Sequence, residues 1–191
     1  MQIRIHGVTR GTEVNGPGKR NIVHLQGCSI GCPGCFNRPT WDHGGGGLRD
    51  VEELARELLE DQPDGVSISG GEPMEQAENL LHLLANIRHI DPNISTLMYT
   101  GFTRQRLERS VWWRPLKELL DVVVAGPYRQ DLPAQSGGLV SSTNQELLLL
   151  SRHTIRELMP AHQVEMVINT DGTIIMMGFP SQQLISSMEA L

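Results

Sequence analysis

Three cysteines are the residues of this chain with the clearest chemical potential. Cys28, Cys32 and Cys35 follow the spacing C-x3-C-x2-C, and the rest of the 191-residue chain has no other cysteine. An odd number of clustered thiols does not suit a structural disulfide framework, whereas thiolates that converge from one loop suit a soft metal centre. The spacing therefore predicts a metal or redox role.

The cysteines leave three chemical interpretations open. They are three unrelated thiols, or they bind zinc with His24 or His43 as the fourth ligand, in the Cys3His set of many structural zinc sites. In the third interpretation they hold a 4Fe-4S cluster whose fourth iron has no protein ligand and is free to bind a substrate or a cofactor. The surrounding residues favour the third interpretation.

The elements that must position these thiols alternate between strands and helices. Hydrophobic periodicity, capping residues and turn residues predict the following elements. Strands are expected at 3–6, 21–26, 66–69, 95–99 and 121–125, helices at 50–60, from Pro73 onward, at 104–120 in two pieces and at 143–153, and a hairpin at 164–169 and 173–177. The helix after Pro73 is expected to bury Ala77, Leu80, Leu81, Leu84 and Ile87.

Strand and helix alternation through the middle of the chain predicts βαβ units and a largely parallel sheet. A closed eightfold barrel typically needs ~250 residues, so this chain is expected to form an open partial (β/α) barrel of about six units. Glycine-bearing segments at 27–35, 70–73, 100–101 and 126–127 each follow a strand. They should therefore gather at the C-terminal edge of the sheet, where α/β active sites form.

Composition bounds the class of protein. The chain is long enough for one sizeable core, so we expect a single domain over residues 1–191. The formal net charge of -6 argues against a nucleic-acid surface. Because no apolar run approaches the ~20 residues of a membrane span, and the first ten residues hold no signal segment, we expect a cytoplasmic protein without a membrane partner.

The motifs, taken in order, resemble those of the radical S-adenosylmethionine (SAM) enzymes, which carry C-x3-C-x2-C followed by a strand ending in Gly-Gly-Glu-Pro. Within that superfamily the chain resembles the activating component of class III anaerobic ribonucleotide reductase and other glycyl-radical-enzyme activases. The resemblance covers about residues 10–150 in colinear order and leaves 159–191 as a C-terminal extension. The matching segments are Val14 to Gly18, Arg20, Gly27-Cys28, Cys32 to Asn37, Thr40-Trp41, Ser69 to Pro73, Tyr99 to Phe102, Val124 to Tyr128 and Ser142 to Gln145.

Three residues, at two places in the chain, depart from the family pattern. Ala125 stands where the family usually has Asp before Gly, and Val140-Ser141 replaces the usual Arg-Gly. These departures bear on the target protein and on one polar contact to SAM.

The resemblance implies a 4Fe-4S cluster on Cys28, Cys32 and Cys35, with SAM as the second cofactor. The residues that it implies for SAM binding are Gly34, Phe36, Gly70, Gly71, Glu72 and Asn144. Glycines at 70 and 71 would let the backbone approach SAM closely, so Gly71→Val is expected to weaken SAM binding while leaving the cluster intact.

The implied function is reductive cleavage of SAM to a 5′-deoxyadenosyl radical that abstracts hydrogen from a glycine of a partner glycyl radical enzyme. The implied electron donor is a flavodoxin- or ferredoxin-type protein. One alternative is a radical SAM enzyme that modifies a small molecule or a peptide. A second alternative, from a different class, is a zinc-binding interaction module.

Overall fold

The structure is a computed structural model that describes residues 1–134, 138–150, 164–168, 170–172, 174–178, 184 and 186–187. Nine strands and four α-helices lie in these ranges. In chain order they are β1 (Gln2–Thr12), β2 (Arg20–Leu25), β3 (Gly47–Asp50), α1 (Val51–Leu58), β4 (Gly65–Gly70), α2 (Ala77–Ile90), β5 (Ser95–Thr100), α3 (Arg104–Glu108), α4 (Trp113–Lys117), β6 (Val122–Ala125), β7 (Glu146–Leu149), β8 (Val164–Ile168) and β9 (Ile174–Gly178).

Seven strands form one mixed sheet in the order β3-β1-β2-β4-β5-β6-β7. The four central strands, β2, β4, β5 and β6, are parallel, which confirms the predicted βαβ organisation. The parallel part has four strands, fewer than the predicted six units, because β1, β3 and β7 join by antiparallel pairing and need no helical crossover. The first strand also extends well beyond the predicted 3–6, since it pairs with both β2 and β3.

Helices α1 and α2 pack on one face of the sheet. Asp50 caps α1 as predicted, because its carboxylate accepts from the backbone N–H groups of Glu52 and Glu53. A short 3-10 helix, Pro73–Gln76, leads into α2. The predicted core face of α2 is confirmed for four residues, while Leu83 is buried and Leu81 only partly so.

The prediction of a helix over 143–153 is wrong, because the structure has strand β7 in this segment. Leu147 packs against Leu97, Val122 and Val124 on one face of the sheet, while Leu148 packs against the larger core on the other face. A strand with apolar side chains on both faces has a continuous apolar run, which periodicity alone does not distinguish from a buried helix. Residues 151–153 of the predicted helix lie outside the described residues.

The predicted C-terminal hairpin is confirmed in the described part, where β8 and β9 pair as a separate two-stranded sheet around Asp171-Gly172. Residues 169 and 173 of that prediction lie outside the described residues. Helices 104–108 and 113–117 confirm the expected two pieces. In the part of the chain that the structure describes, none of the helices has the length and apolar character needed to cross a membrane.

Candidate cluster and cofactor site

The four parallel strands deliver the predicted motifs to one edge of the sheet. Strands β2 and β4 end side by side, with Leu25 paired to Gly70, and β5 and β6 end with Thr100 paired to Ala125. The loops after these strands carry the cysteines, the Gly-Gly-Glu-Pro motif, Gly101 and Gly126. The predicted gathering of glycine-bearing segments is confirmed.

Residues 27–46, called here the cysteine loop, fold back on themselves through backbone hydrogen bonds. The N–H groups of Gly27 and Cys28 donate to the carbonyls of Thr40 and Trp41, at 2.7 and 3.0 Å. The Cys35 N–H donates to the Cys32 carbonyl at 3.0 Å. All three cysteines are free thiols and are partly exposed. The loop therefore presents three partly exposed cysteines.

Two carboxylates lie close enough to the first cysteine to act on it electrostatically. Burial raises the pKa of the Cys28 thiol, and the charges of Glu72 and Glu75 raise it further, although backbone groups of Ile30 and Gly31 act in the opposite direction. Burial also raises the pKa of Cys32, against a hydrogen bond from the backbone of Tyr128. The loop after β6 thus reaches the middle cysteine directly.

The Gly70-Gly71 pair lies against the backbone that leads to Cys28. The Gly71 N–H donates to the Leu25 carbonyl at 2.8 Å, and the Glu72 N–H donates to the Gly27 carbonyl at 2.9 Å. A Cβ at Gly71 would overlap the carbonyl oxygen of Gly27, and one at Gly70 would lie 2.6 Å from the carbonyl oxygen of Leu25. These glycines are therefore required for the contact between the two backbones, independently of any contact with SAM. A substitution at Gly71 would disturb the cysteine loop in addition to SAM binding.

Glu72 is buried, with 1% of its surface exposed. Its Oε1 accepts from the Met74 N–H at 2.9 Å and from the Thr100 hydroxyl at 2.6 Å, and its Oε2 accepts from the Gly101 N–H at 2.7 Å. Burial raises the pKa of this carboxyl, whereas the three donors act in the opposite direction. Glu72 thus joins the end of β4 to the end of β5.

The loop after β6 forms the other wall of the site. Gly34 has a φ of +73°, and the Gln130 side chain occupies the place that a Cβ at Gly34 would take. A cleft of about 500 Å³ opens between Pro33 and residues 128–131. Phe36, on the same cysteine loop, is 38% exposed.

Asn144 reaches this wall from the segment before β7. Its Nδ2 donates to the Pro127 carbonyl at 2.8 Å, whereas its buried Oδ1 has no hydrogen-bond partner among the described residues. A buried amide oxygen without a donor is costly, so a bound ligand with an N–H or O–H group would fit here. The neighbouring Gln145 fixes this segment, because its Oε1 accepts from the N–H groups of Ser141 and Ser142.

Sequence reasoning missed three polar residues that hold the cysteine loop. Gln26 donates from Nε2 to the carbonyls of Pro39 and Asp42, Glu75 contacts the loop at two points, and Gln76 donates to the carbonyl of Gln26 at 3.0 Å. Their one sequence signal was position: Gln26 lies two residues before Cys28, and Glu75 and Gln76 lie two and three residues after Pro73 of the Gly-Gly-Glu-Pro motif.

The two histidines considered as a fourth zinc ligand are engaged through Nε2, His24 with the Thr9 hydroxyl and His43 with Glu75. Burial lowers the pKa of His24 to about 4. Within the described residues, no three His, Cys, Asp or Glu side chains are grouped so that they could hold a single metal ion. A four-iron cluster takes its thiolates on separate irons.

Comparison with known proteins identifies the family. Residues 14–148 match the family of 4Fe-4S single cluster domains. The anaerobic ribonucleoside-triphosphate reductase-activating protein of Escherichia coli K12 is 31% identical over 140 residues, which are 69% of this chain and 89% of that protein. The chain belongs to the radical SAM family of glycyl-radical-enzyme activases. This activase is therefore an enzyme of the radical SAM type, and the family match replaces the zinc alternative.

Two further relatives of the activase are informative. The protein of the same name from Vibrio cholerae is 32% identical over 126 residues, covering 62% of this chain and 79% of the relative. The pyruvate formate-lyase-activating enzyme of Clostridium pasteurianum is 40% identical over 87 residues, which are 42% of this chain and 37% of that enzyme.

The cofactors of the activase are a 4Fe-4S cluster and SAM. The residues present fit both groups. The loop offers three thiols and the chain contains no fourth cysteine, a donor set that leaves one iron of a four-iron cluster free. The unpartnered Oδ1 of Asn144 lies in a segment that contacts the same edge of the sheet.

Proposed function

We propose that this activase abstracts a hydrogen atom from a backbone glycine of a partner glycyl radical enzyme of the anaerobic ribonucleotide reductase type. The observation that carries the proposal is the direct contact between the two motifs, in which the Glu72 N–H donates to the carbonyl of Gly27, next to Cys28. The names of the relatives support the target class.

We assign Cys28, Cys32 and Cys35 as the ligands of three irons. Gly34, Phe36, Gly70, Gly71, Glu72 and Asn144 are assigned to the SAM side of the site. For Glu72 we propose that the carboxylate, already held by three protein donors, contributes a negative charge facing the SAM amino group rather than a freely moving side chain. Asn144 Oδ1 is the acceptor that remains available.

When both cofactors are bound, the cluster would supply the electron that cleaves SAM, and SAM would supply the group that takes hydrogen from the glycine Cα. The chain's own residues hold the reacting groups in place. Glu72 fixes the distance between the ends of β4 and β5, and Gln145 fixes the segment that carries Asn144. The glycine must come within ~3 to 3.5 Å of the reacting carbon, which only a docked loop can achieve.

We further propose that the sheet is the open partial barrel of radical SAM enzymes, in one domain whose residues 159–191 form an extension. The reductant is a flavodoxin- or ferredoxin-type protein. A cytoplasmic location fits three free thiols, which a reducing compartment preserves.

The experiment mixes the anaerobically reconstituted chain, SAM and a reductant with the anaerobic ribonucleotide reductase of the same organism. We expect a stable glycyl radical signal by electron paramagnetic resonance and one 5′-deoxyadenosine per radical formed. Without the reductase, SAM cleavage should be slow. Cys28→Ala is the matched control and should give no signal.

Efficient single-turnover modification of a small metabolite or a peptide, with no glycyl radical in the reductase, would replace this proposal by the small-substrate alternative.

A further inference from the structure

The carboxylate of Glu75 ties together two distant parts of the cysteine loop. Its Oε1 accepts from the Ser29 N–H at 2.9 Å, and its Oε2 lies 2.8 Å from Nε2 of His43. Ser29 directly follows Cys28, whereas His43 lies near the far end of the loop. One side chain from the 3-10 helix Pro73–Gln76 therefore holds both the entry and the return of the loop.

The His43 ring packs against the backbone of Gly27, the residue before the first cysteine. Gly27 has a φ of +100°, and a Cβ there would lie 2.8 Å from Cδ2 of the His43 ring. On the other side, the Gly27 carbonyl accepts from the Glu72 N–H at 2.9 Å. The backbone of residues 27–29 is thus held between the His43 ring, the Glu75 carboxylate and the turn that follows β4.

The charge of Glu75 reaches the same place. Its side chain is only 21% exposed, so water screens the carboxylate incompletely. The reduction potential of an iron-sulfur cluster depends on the net charge and the hydrogen bonds around it, and a nearby negative charge disfavours the reduced state. A residue that both positions a ligand's backbone and carries charge can therefore act on cluster retention and on potential.

We propose that Glu75 is a positioning residue of the cluster site, which holds the backbone next to Cys28 and sets a negative charge beside the cluster. This inference rests on the proposed assignment of Cys28 as a cluster ligand, within the proposed function. Glu75 acts through Ser29 and His43 and does not itself touch the reacting atoms.

The test uses the full chain after anaerobic reconstitution and compares Glu75→Gln, Glu75→Ala and the control Glu78→Gln. Glutamine keeps an amide oxygen for Ser29 and removes the charge, and its amide N–H can donate to Nε2 of His43 when the ring carries its proton on Nδ1. Alanine removes both the contacts and the charge. Glu78→Gln changes the net charge of the chain by the same amount, at an exposed position in the first turn of α2. The readouts are the rate of iron loss to a chelator and the cluster midpoint potential, neither of which needs a partner protein.

We expect Glu75→Ala to lose iron about 10-fold faster than the wild type, as is usual for residues that orient metal ligands. Glu75→Gln should retain iron like the wild type but have a more positive potential, and Glu78→Gln should match the wild type in both. Iron retention in Glu75→Ala equal to the wild type, or an unshifted potential in Glu75→Gln, would overturn the inference. A wild-type chain that forms no glycyl radical would contradict the proposed target and leave these two readouts unaffected.

Discussion

Gly71 lies in contact with the backbone that leads to the first cysteine. The carbonyl oxygen of Gly27 occupies the position that a Cβ at Gly71 would take, and the atoms on both sides are backbone. Backbone is harder to displace than the end of a flexible side chain. The smallest possible side chain at this position should therefore move the cysteine loop.

We predict that Gly71→Ala lowers both the iron bound after reconstitution and the affinity for SAM. Overpacking of this kind typically costs about 1–3 kcal/mol, which the loop can relieve only by moving residues 27–28. Iron per chain and equilibrium dialysis with SAM measure the two effects. Gly47→Ala is the matched control, because a Cβ at Gly47 would meet nothing within 4 Å. Full iron content in Gly71→Ala with only SAM binding reduced would restore the simpler role of Gly71 as a cofactor contact.

The two ends of strand β2 have different roles: one leads into the cysteine loop, and the other holds a buried arginine that stabilises the fold. Its last residue, Leu25, is followed by the cysteine loop, whereas its first residue, Arg20, is fully buried at the opposite end of the strand. Burial lowers the pKa of Arg20 to about 10, so the guanidinium stays charged at neutral pH. Its five donors reach the Ser67 hydroxyl, the Pro17 and Val66 carbonyls, and both the hydroxyl and the carbonyl of Ser95.

We predict that Arg20→Met lowers the free energy of unfolding by about 3 kcal/mol, because the substitution leaves buried acceptors on three strand or loop segments without donors. Urea unfolding of the apo chain followed by circular dichroism measures the loss. Arg109→Met, at an exposed position in the segment between α3 and α4, removes the same charge and should change stability by less than ~0.5 kcal/mol. Equal stability of the two variants would show that the Arg20 network contributes nothing net.

The hydrophobic core and the cysteine loop at the edge of the sheet are built from different residues. The two hydrophobic clusters draw most of their members from the strands and the helices, with a few from connecting segments, such as Ile94, Leu120 and Leu139. Among the described residues, neither cluster includes a member of the cysteine loop, which the polar contacts of Gln26, Glu75 and Gln76 hold instead. The fold should therefore form without the iron-sulfur cluster.

We predict that a variant with Ala at positions 28, 32 and 35 binds no iron yet unfolds cooperatively, within about 1 kcal/mol of the wild-type apo chain. Partly exposed thiols contribute little to the core, so their truncation removes cluster binding without removing packing. Iron analysis, visible absorption and urea unfolding together provide the measurement. Visible absorption retained by the triple variant would refute the ligand assignment, and loss of cooperative unfolding would refute the separation of core and edge.

Features local to the chain were determined by the sequence. The cysteine spacing, the Asp50 cap, the strand and helix alternation and the glycine motifs after strands depend on residues close together along the chain, so they predicted the parallel centre of the sheet and the edge where the motifs meet. The assignment of individual cysteines as cluster ligands stays a prediction, both from the sequence and from the tertiary structure.

Contacts between distant segments were decided only by the tertiary structure. Residues 146–149 form a strand because β6 is available for pairing, which their leucine run does not reveal. Ser29 and Glu75 are 46 residues apart, and Arg20 finds Ser95 at a separation of 75. The order of the strands in the sheet sets these distances, and Gly71 has its steric role because β2 and β4 are neighbours. The physical reason is that burial and close approach belong to pairs of segments, and no single segment encodes its partner.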